Sequence, residues 1–137
     1  CTNTQALSTT YFGIYNTGNT ASLSISNNLL QNNASSGYAG ATYLIVSSAG
    51  VSSLTTISGN TVGMLYDGAS SYTAAHYGIY NNATATTATV NILNNVYSQL
   101  QHSVTASGPS YLYLNSGVPS RAVLSGNKID NLNIFYF

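Results

Sequence analysis

A four-residue block ending in asparagine recurs along this chain at nearly even spacing. The four copies read ISNN at 25–28, ISGN at 57–60, ILNN at 92–95 and LSGN at 124–127. Successive final asparagines lie 32, 35 and 32 residues apart. A period of a few tens of residues is typical of stacked supersecondary units rather than of one conventional core. The spacing therefore predicts a solenoid.

Each period contains three segments with strand character. The first opens with an aromatic residue at 12–16, 43–47, 77–81 and 111–115, and the second leads into the asparagine block. The third follows that block and is apolar two and five residues after it, except at Asn33. Aromatic and β-branched residues favour strands, whereas Asn, Gly, Ser and Thr are mediocre or poor helix formers. The sequence therefore predicts an all-β chain without helices.

Three short strands per period, joined by Asn and Gly residues that tolerate tight corners, predict a parallel β-helix. The single domain, 1–137, divides into repeats at about 11–41, 42–74, 75–109 and 110–137, with 1–10 ending a preceding partial coil. Coils about 4.8 Å apart stack equivalent residues into columns. Three columns follow: an asparagine ladder of Asn28, Asn60, Asn95 and Asn127; an aliphatic core of Ile25, Ile57, Ile92 and Leu124; and an aromatic column of Phe12, Tyr43, Tyr77 and Tyr111, whose facing the sequence leaves open.

Charge is almost absent from this chain. Charged residues make up 3% of it, with two basic and two acidic side chains among 137 residues. A neutral surface argues against nucleic-acid binding, which needs basic patches, and favours self-association. No apolar run is long enough to span a bilayer, and the single cysteine, Cys1, cannot form an internal disulfide.

The asparagine corners, together with Gly-Ile-Tyr-Asn at 13–16 and 78–81, resemble the right-handed parallel β-helix, or pectin-lyase-like, repeats of secreted and cell-surface bacterial proteins. They are also similar to long Asn-, Ser- and Thr-rich surface proteins exported by Bacteroidetes-type bacteria. The resemblance spans about residues 11–137. It implies a right-handed coil and an extracellular or cell-surface location.

Many members of that family cleave polysaccharides with clustered carboxylates, some of which hold Ca²⁺. Here the only carboxylates, Asp67 and Asp130, occupy different positions in different periods, which does not suit a paired acid and base. His76 and His102 lack the spacing of a metal site, and no Gly-x-Ser-x-Gly motif is present. The sequence therefore predicts no catalytic residues, no metal and no cofactor.

Several polar residues are open to two interpretations. Arg121 and Lys128 could bind an anionic sugar, although a solvated pair is the preferred interpretation. The sequons that begin at Asn33 and Asn82 are expected in turns, and they would accept glycans only in a eukaryotic secreted protein.

The two ends of the chain carry strand-like sequence without a polar cap. Residues 134–137 are apolar and uncharged, so strand pairing with identical chains or with adjoining coils is expected there. The sequence favours a non-enzymatic structural subunit of a surface fibre, filament or adhesin stalk. The alternative is a carbohydrate-binding or polysaccharide-degrading β-helix module with catalytic residues outside this segment, with surface glycans as partners. A viral fibre segment is a third possibility.

Overall fold

A computed structural model describes residues 10–35, 41–48, 50–66, 75–82, 87–103 and 109–135. These ranges contain strands and no helix. The twelve strands are β1 (Tyr11–Asn16), β2 (Thr20–Ser26), β3 (Leu29–Ser35), β4 (Thr42–Ser47), β5 (Val51–Ser58), β6 (Thr61–Tyr66), β7 (His76–Asn81), β8 (Thr89–Leu93), β9 (Val96–Ser103), β10 (Ser110–Asn115), β11 (Arg121–Ser125) and β12 (Lys128–Phe135).

The strands form three parallel sheets of four. Every strand pairs with the strand three elements later, which gives the orders β1-β4-β7-β10, β2-β5-β8-β11 and β3-β6-β9-β12. Each coil therefore contributes one strand to each sheet, and four coils stack along one axis. The parallel β-helix predicted from the sequence period is confirmed. The partial coil expected at residues 1–10 lies almost entirely outside the described residues.

A left-handed backbone residue turns the chain between the second and third strand of every coil. These residues are Asn27 (φ 59°), Gly59 (φ 63°), Asn94 (φ 53°) and Gly126 (φ 66°). Only Gly and Asn adopt this region readily, which explains why the block always carries one of them before its final asparagine. The two alternate for a steric reason: a Cβ on Gly59 would lie 2.5 Å from Oδ1 of Asn27 in the coil below.

The interior consists of apolar columns in register. Ile25, Ile57 and Ile92 are 6%, 0% and 0% exposed. A second interior column places Tyr97 above Val62, and Tyr97 is 3% exposed. A third interior column is Ile14, Ile45, Ile79 and Tyr113. Burial of these side chains is the main stabilising term available to a chain with so few charges.

The structure corrects the prediction that Leu124 is buried in the aliphatic core. Leu124 pairs with Ile92 as expected, but it is 53% exposed. β11 is the outermost described strand of its sheet, so no described coil covers Leu124 from above. Ile129, the corresponding residue of β12, is 55% exposed for the same reason.

Asn33 also differs from expectation. It lies inside β3 rather than in a turn. A register shift follows Leu30, so that Asn33 faces Met64 and its neighbour Ala34 faces Leu65. The irregularity explains why the first coil departs from the apolar pattern of the others.

Candidate functional site

The four ladder asparagines form one continuous hydrogen-bonded row. The side-chain Nδ2 of Asn28, Asn60 and Asn95 donates to Oδ1 of the next asparagine at 2.9, 2.9 and 3.0 Å. The backbone N–H of each of these three donates to the same oxygen at 3.0 Å. Every hydrogen bond between two of these asparagines is donated toward the later coil, so the row has a direction.

The central members of the row use their full hydrogen-bonding capacity. Asn60 and Asn95 are both 0% exposed. Asn60 accepts two hydrogen bonds from Asn28 and donates to Asn95 and to the carbonyl of Ile25 at 2.9 Å. An amide side chain offers two donor hydrogens and two acceptor lone pairs, so nothing remains unsatisfied. The hydrogen bonds of such a row offset the cost of desolvating its buried amides, and their geometry specifies the register of the coils.

The two ends of the ladder are complementary. Within the described ranges, Oδ1 of Asn28 accepts no hydrogen bond, and its Nδ2 donates forward to Asn60. Asn127 donates from Nδ2 to the carbonyl of Ile92 at 2.8 Å and has no further asparagine ahead of it in the described chain. One end therefore offers an acceptor and the other offers donors.

A second polar column lies at the ends of β1, β4, β7 and β10. Its members are Asn16, Ser47, Asn81 and Asn115. Nδ2 of Asn81 donates to Oδ1 of Asn115 at 2.7 Å. Three side-chain atoms of this column are buried without a hydrogen-bond partner, namely Asn16 Nδ2, Ser47 Oγ and Asn81 Oδ1. The serine side chain is too short to bridge the two amides, so the row is interrupted at the second coil.

Replacing Ser47 with asparagine should complete this second row. Asparagine can donate to one neighbour and accept from the other, which satisfies atoms that are now buried and unpaired. We expect the free energy of unfolding to rise by about 1–2 kcal/mol, since each unsatisfied buried group costs roughly that much. Thermal unfolding followed by circular dichroism measures the change. Ser53→Asn on the exposed side of β5 is the matched control, and a lowered melting temperature for Ser47→Asn alone would show that the column has no room for an amide.

The aromatic column stacks on the outer surface of the first sheet. Ring centroids lie 5.2 Å apart for Phe12–Tyr43, 4.4 Å for Tyr43–Tyr77 and 5.2 Å for Tyr77–Tyr111, with interplanar angles of 17°, 4° and 11°. Phe12 and Tyr111 are 39% and 38% exposed, so the column faces outward. Tyr15 extends the stack by lying 4.4 Å from Phe12 at 9°.

Beside this column lies a groove of about 400 Å³. Tyr15, Val46 and Tyr80 are in register in successive coils, and Val46 is 2% exposed because its surroundings already cover it. No charged residue lines the groove. Its lining residues are Thr10, Phe12, Tyr15, Tyr43, Val46, Ser48, Tyr80 and Asn82. No single period of the sequence indicates this groove, although the aromatic openings of the first three periods, once aligned, place residues 15, 46 and 80 in one column.

Burial perturbs the phenols on and inside the coil. It raises the pKa of Tyr113 to about 12, and the hydroxyl of Tyr113 is buried without a hydrogen-bond partner. The pKa of Tyr97 is raised by burial first and by its neighbour Tyr113 second. On the outer surface, burial and then the nearby Tyr77 and Tyr80 raise the pKa of Tyr43. All three groups are neutral at physiological pH.

Among the described residues considered for catalysis or metal binding, His76 lies in a different sheet from Arg121, Lys128 and Asp130. His76 is buried in β7, whereas Arg121, Lys128 and Asp130 are exposed on β11 and β12. No group of three or more His, Cys, Asp and Glu side chains in the described ranges could hold a metal ion. Asp67 and Cys1 lie outside those ranges, as does the side chain of His102.

Two other sequence features can be placed. The sequon asparagine Asn82 directly follows β7, and its backbone N–H donates to the carbonyl of Ser47 at 2.7 Å. Among the described segments there is no helix long and apolar enough to cross a membrane.

The fold and the columns together define a parallel β-helix with few charges, an internal amide ladder and an outer aromatic stack. Comparison of the chain with family models, with curated proteins and with solved structures gives no match.

Proposed function

We propose that the chain is a non-enzymatic structural unit of an extracellular surface fibre, stalk or adhesin, assembled by end-to-end stacking of β-coils. The observation that carries this proposal is the complementarity of the ladder ends. Asn127 offers a backbone N–H and an amide hydrogen in the direction in which every earlier ladder asparagine donates to the next. Asn28 offers the Oδ1 acceptor that would receive them from a second copy.

The apolar residues of the last coil match those of the first. In head-to-tail register, Ile25 of a second copy would cover Leu124, and its Leu30 would cover Ile129. The two covered residues are 53% and 55% exposed, whereas their equivalents Ile92 and Tyr97 inside the stack are 0% and 3% exposed. Burying apolar surface of this kind contributes about 25 cal/mol for each Å² removed from water.

The edges of the three sheets support the same mode of association. No described strand pairs with the outer side of β10, β11 or β12, so backbone N–H and C=O groups there can add another coil. A head-to-tail contact that does not close generates an open filament. With a net charge of zero, successive copies do not repel one another.

A lysine at position 124 should prevent this assembly. Leu124→Lys places a charge on the face that stacks, where it would be desolvated without a partner. We expect the parent chain to form filaments in electron micrographs and fast-sedimenting species in the ultracentrifuge, and the variant to remain monomeric. Leu54→Lys is the matched control, because Leu54 is 36% exposed on the side of a middle coil.

Two results would contradict the proposal. The first is a parent chain that stays dispersed at high concentration. The second is filament formation by Leu124→Lys equal to that of Leu54→Lys. Far-UV circular dichroism of both variants shows whether the coil itself is intact.

A further inference from the structure

Beneath the period of one coil, the chain also repeats every two coils. Asn28 and Asn95 lie 67 residues apart, and so do Asn60 and Asn127. Gly-Ile-Tyr-Asn occurs in the first and third coils, here called odd, whereas Ser-Gly-Asn occurs at the corners of the second and fourth, called even. Odd and even coils therefore alternate along the stack, and two contacts between neighbouring coils account for the alternation.

The first contact lies at the left-handed corners. Oδ1 of Asn27 is only 2.5 Å from the position that a Cβ on Gly59 would occupy in the next coil. Oδ1 of Asn94 approaches Gly126 in the same way. Both asparagines thus direct their side chains toward the later coil, where a Cβ would meet them. A coil that follows an asparagine corner therefore needs glycine at its own corner.

The second contact lies in the first strand of each coil. Gly13 and Gly78 alternate with Leu44 and Leu112 in one column. A Cβ on Gly13 would lie 2.5 Å from the backbone oxygen of Leu44, and a Cβ on Gly78 would lie 2.7 Å from that of Leu112. These backbone oxygens belong to paired strands and cannot rotate aside as a side chain can. A coil with leucine in this column therefore needs glycine in the coil before it.

We propose that these two contacts determine which coil can be added to the end of the stack, and that Leu112 and Gly126 make that end specific for the first coil of another copy. The inference rests on the proposed end-to-end assembly and supplies its rule of selection. An odd coil accepts only an even coil after it, because its corner asparagine needs glycine there. An even coil accepts only an odd coil after it, because its leucine cannot lie before another leucine coil. The two rules together require strict alternation.

The described chain satisfies both rules at a joint between two copies. Its first described coil is odd and its last is even, so the joint repeats the step from the second coil to the third. In that internal step the backbone N–H of Gly59 donates to the carbonyl of Leu93 at 3.0 Å. At the joint, the N–H of Gly126 would donate in the same way to the carbonyl of Ser26 in the next copy. A copy displaced by one coil would present an even coil and is excluded.

Exchanging the residues of two corners tests the rule in the full chain. Asn94→Gly combined with Gly126→Asn transfers the corner asparagine of the third coil to the fourth. Every step inside the chain stays permitted, and both positions keep a residue that adopts the left-handed backbone. At the joint, however, the transferred asparagine would face Asn27 of the next copy. We expect the concentration at which filaments form, measured by pelleting and electron microscopy, to rise at least about tenfold, which corresponds to about 1.4 kcal/mol.

Adding Asn27→Gly to the exchanged pair is the matched control, because it relieves the contact at the joint without touching the exchanged corners. It should return filament formation to the concentration of the parent chain, and Asn27→Gly alone should assemble as the parent does. The rule is wrong, although end-to-end assembly stands, if the exchanged variant forms filaments as the parent does or if Asn27→Gly fails to restore them. A parent chain that forms no filaments overturns both proposals. Far-UV circular dichroism of each variant shows whether the coil is intact.

Discussion

Replacing Asn95 with alanine should remove a large part of the stability of this chain. Its side chain accepts hydrogen bonds from the backbone N–H and Nδ2 of Asn60, and donates to Oδ1 of Asn127 and the carbonyl of Ile57. Alanine removes all four bonds, and only Oδ1 of Asn127 keeps a bond from residue 95, from its backbone N–H. At about 1–3 kcal/mol for each of the other three groups, the free energy of unfolding falls by at least about 3 kcal/mol. That is a large share of a total stability of about 5–15 kcal/mol.

Urea unfolding followed by far-UV circular dichroism measures the effect of Asn95→Ala. The matched control is Asn91→Ala, since Asn91 lies in β8 four residues earlier, is partly exposed and is not a ladder member. The control should stay within about 0.5 kcal/mol of the parent chain, as is usual for surface positions. Equal unfolding midpoints for the two variants would show that the amide row contributes little beyond the apolar columns.

The coil and its columns could be predicted from the sequence because a β-helix repeats its local physics in every turn. The left-handed corner requires Gly or Asn, and the buried row requires an amide, so Gly or Asn followed by Asn recurs at 27–28, 59–60, 94–95 and 126–127. Aligning these blocks then determines the register of the second strand without any long-range information.

The structure differs from the sequence prediction where a residue's environment depends on which coil it belongs to and not only on its position within the repeat. Leu124 has the sequence pattern of Ile92, and only the arrangement of coils shows that nothing described covers it. The register shift after Leu30 displaces Asn33 by one position, which an evenly spaced pattern does not reveal. The groove beside the aromatic column could not be predicted from one period because side chains of three successive coils line it.

Raising the pH above 10 should unfold the chain through its buried phenols. A tyrosine in an unfolded chain titrates near pH 10. Burial raises the pKa of Tyr113 to about 12, and it also raises the pKa of Tyr97, which is 3% exposed. The contribution of these two buried phenols to the free energy of unfolding is fully present below pH 10. It is lost as the pH rises from 10 through the folded-state pKa values, because the unfolded chain releases protons that the folded chain retains.

In this window, each pH unit lowers the free energy of unfolding by about 1.4 kcal/mol for a fully buried phenol. Tyr97 therefore accounts for most of the loss of stability, and the partly exposed Tyr113 adds less. Circular dichroism and phenolate absorbance recorded together between pH 9 and 12 follow the transition.

Tyr113→Phe should be neutral or slightly stabilising at pH 7, because it removes a buried hydroxyl that has no hydrogen-bond partner. It should also make the loss of stability above pH 10 shallower. Tyr15→Phe, at a ring that is 51% exposed, should leave the profile unchanged. If all 12 tyrosines titrate near pH 10 while the β-sheet spectrum persists, the interior phenols are open to water and this account of the core is wrong.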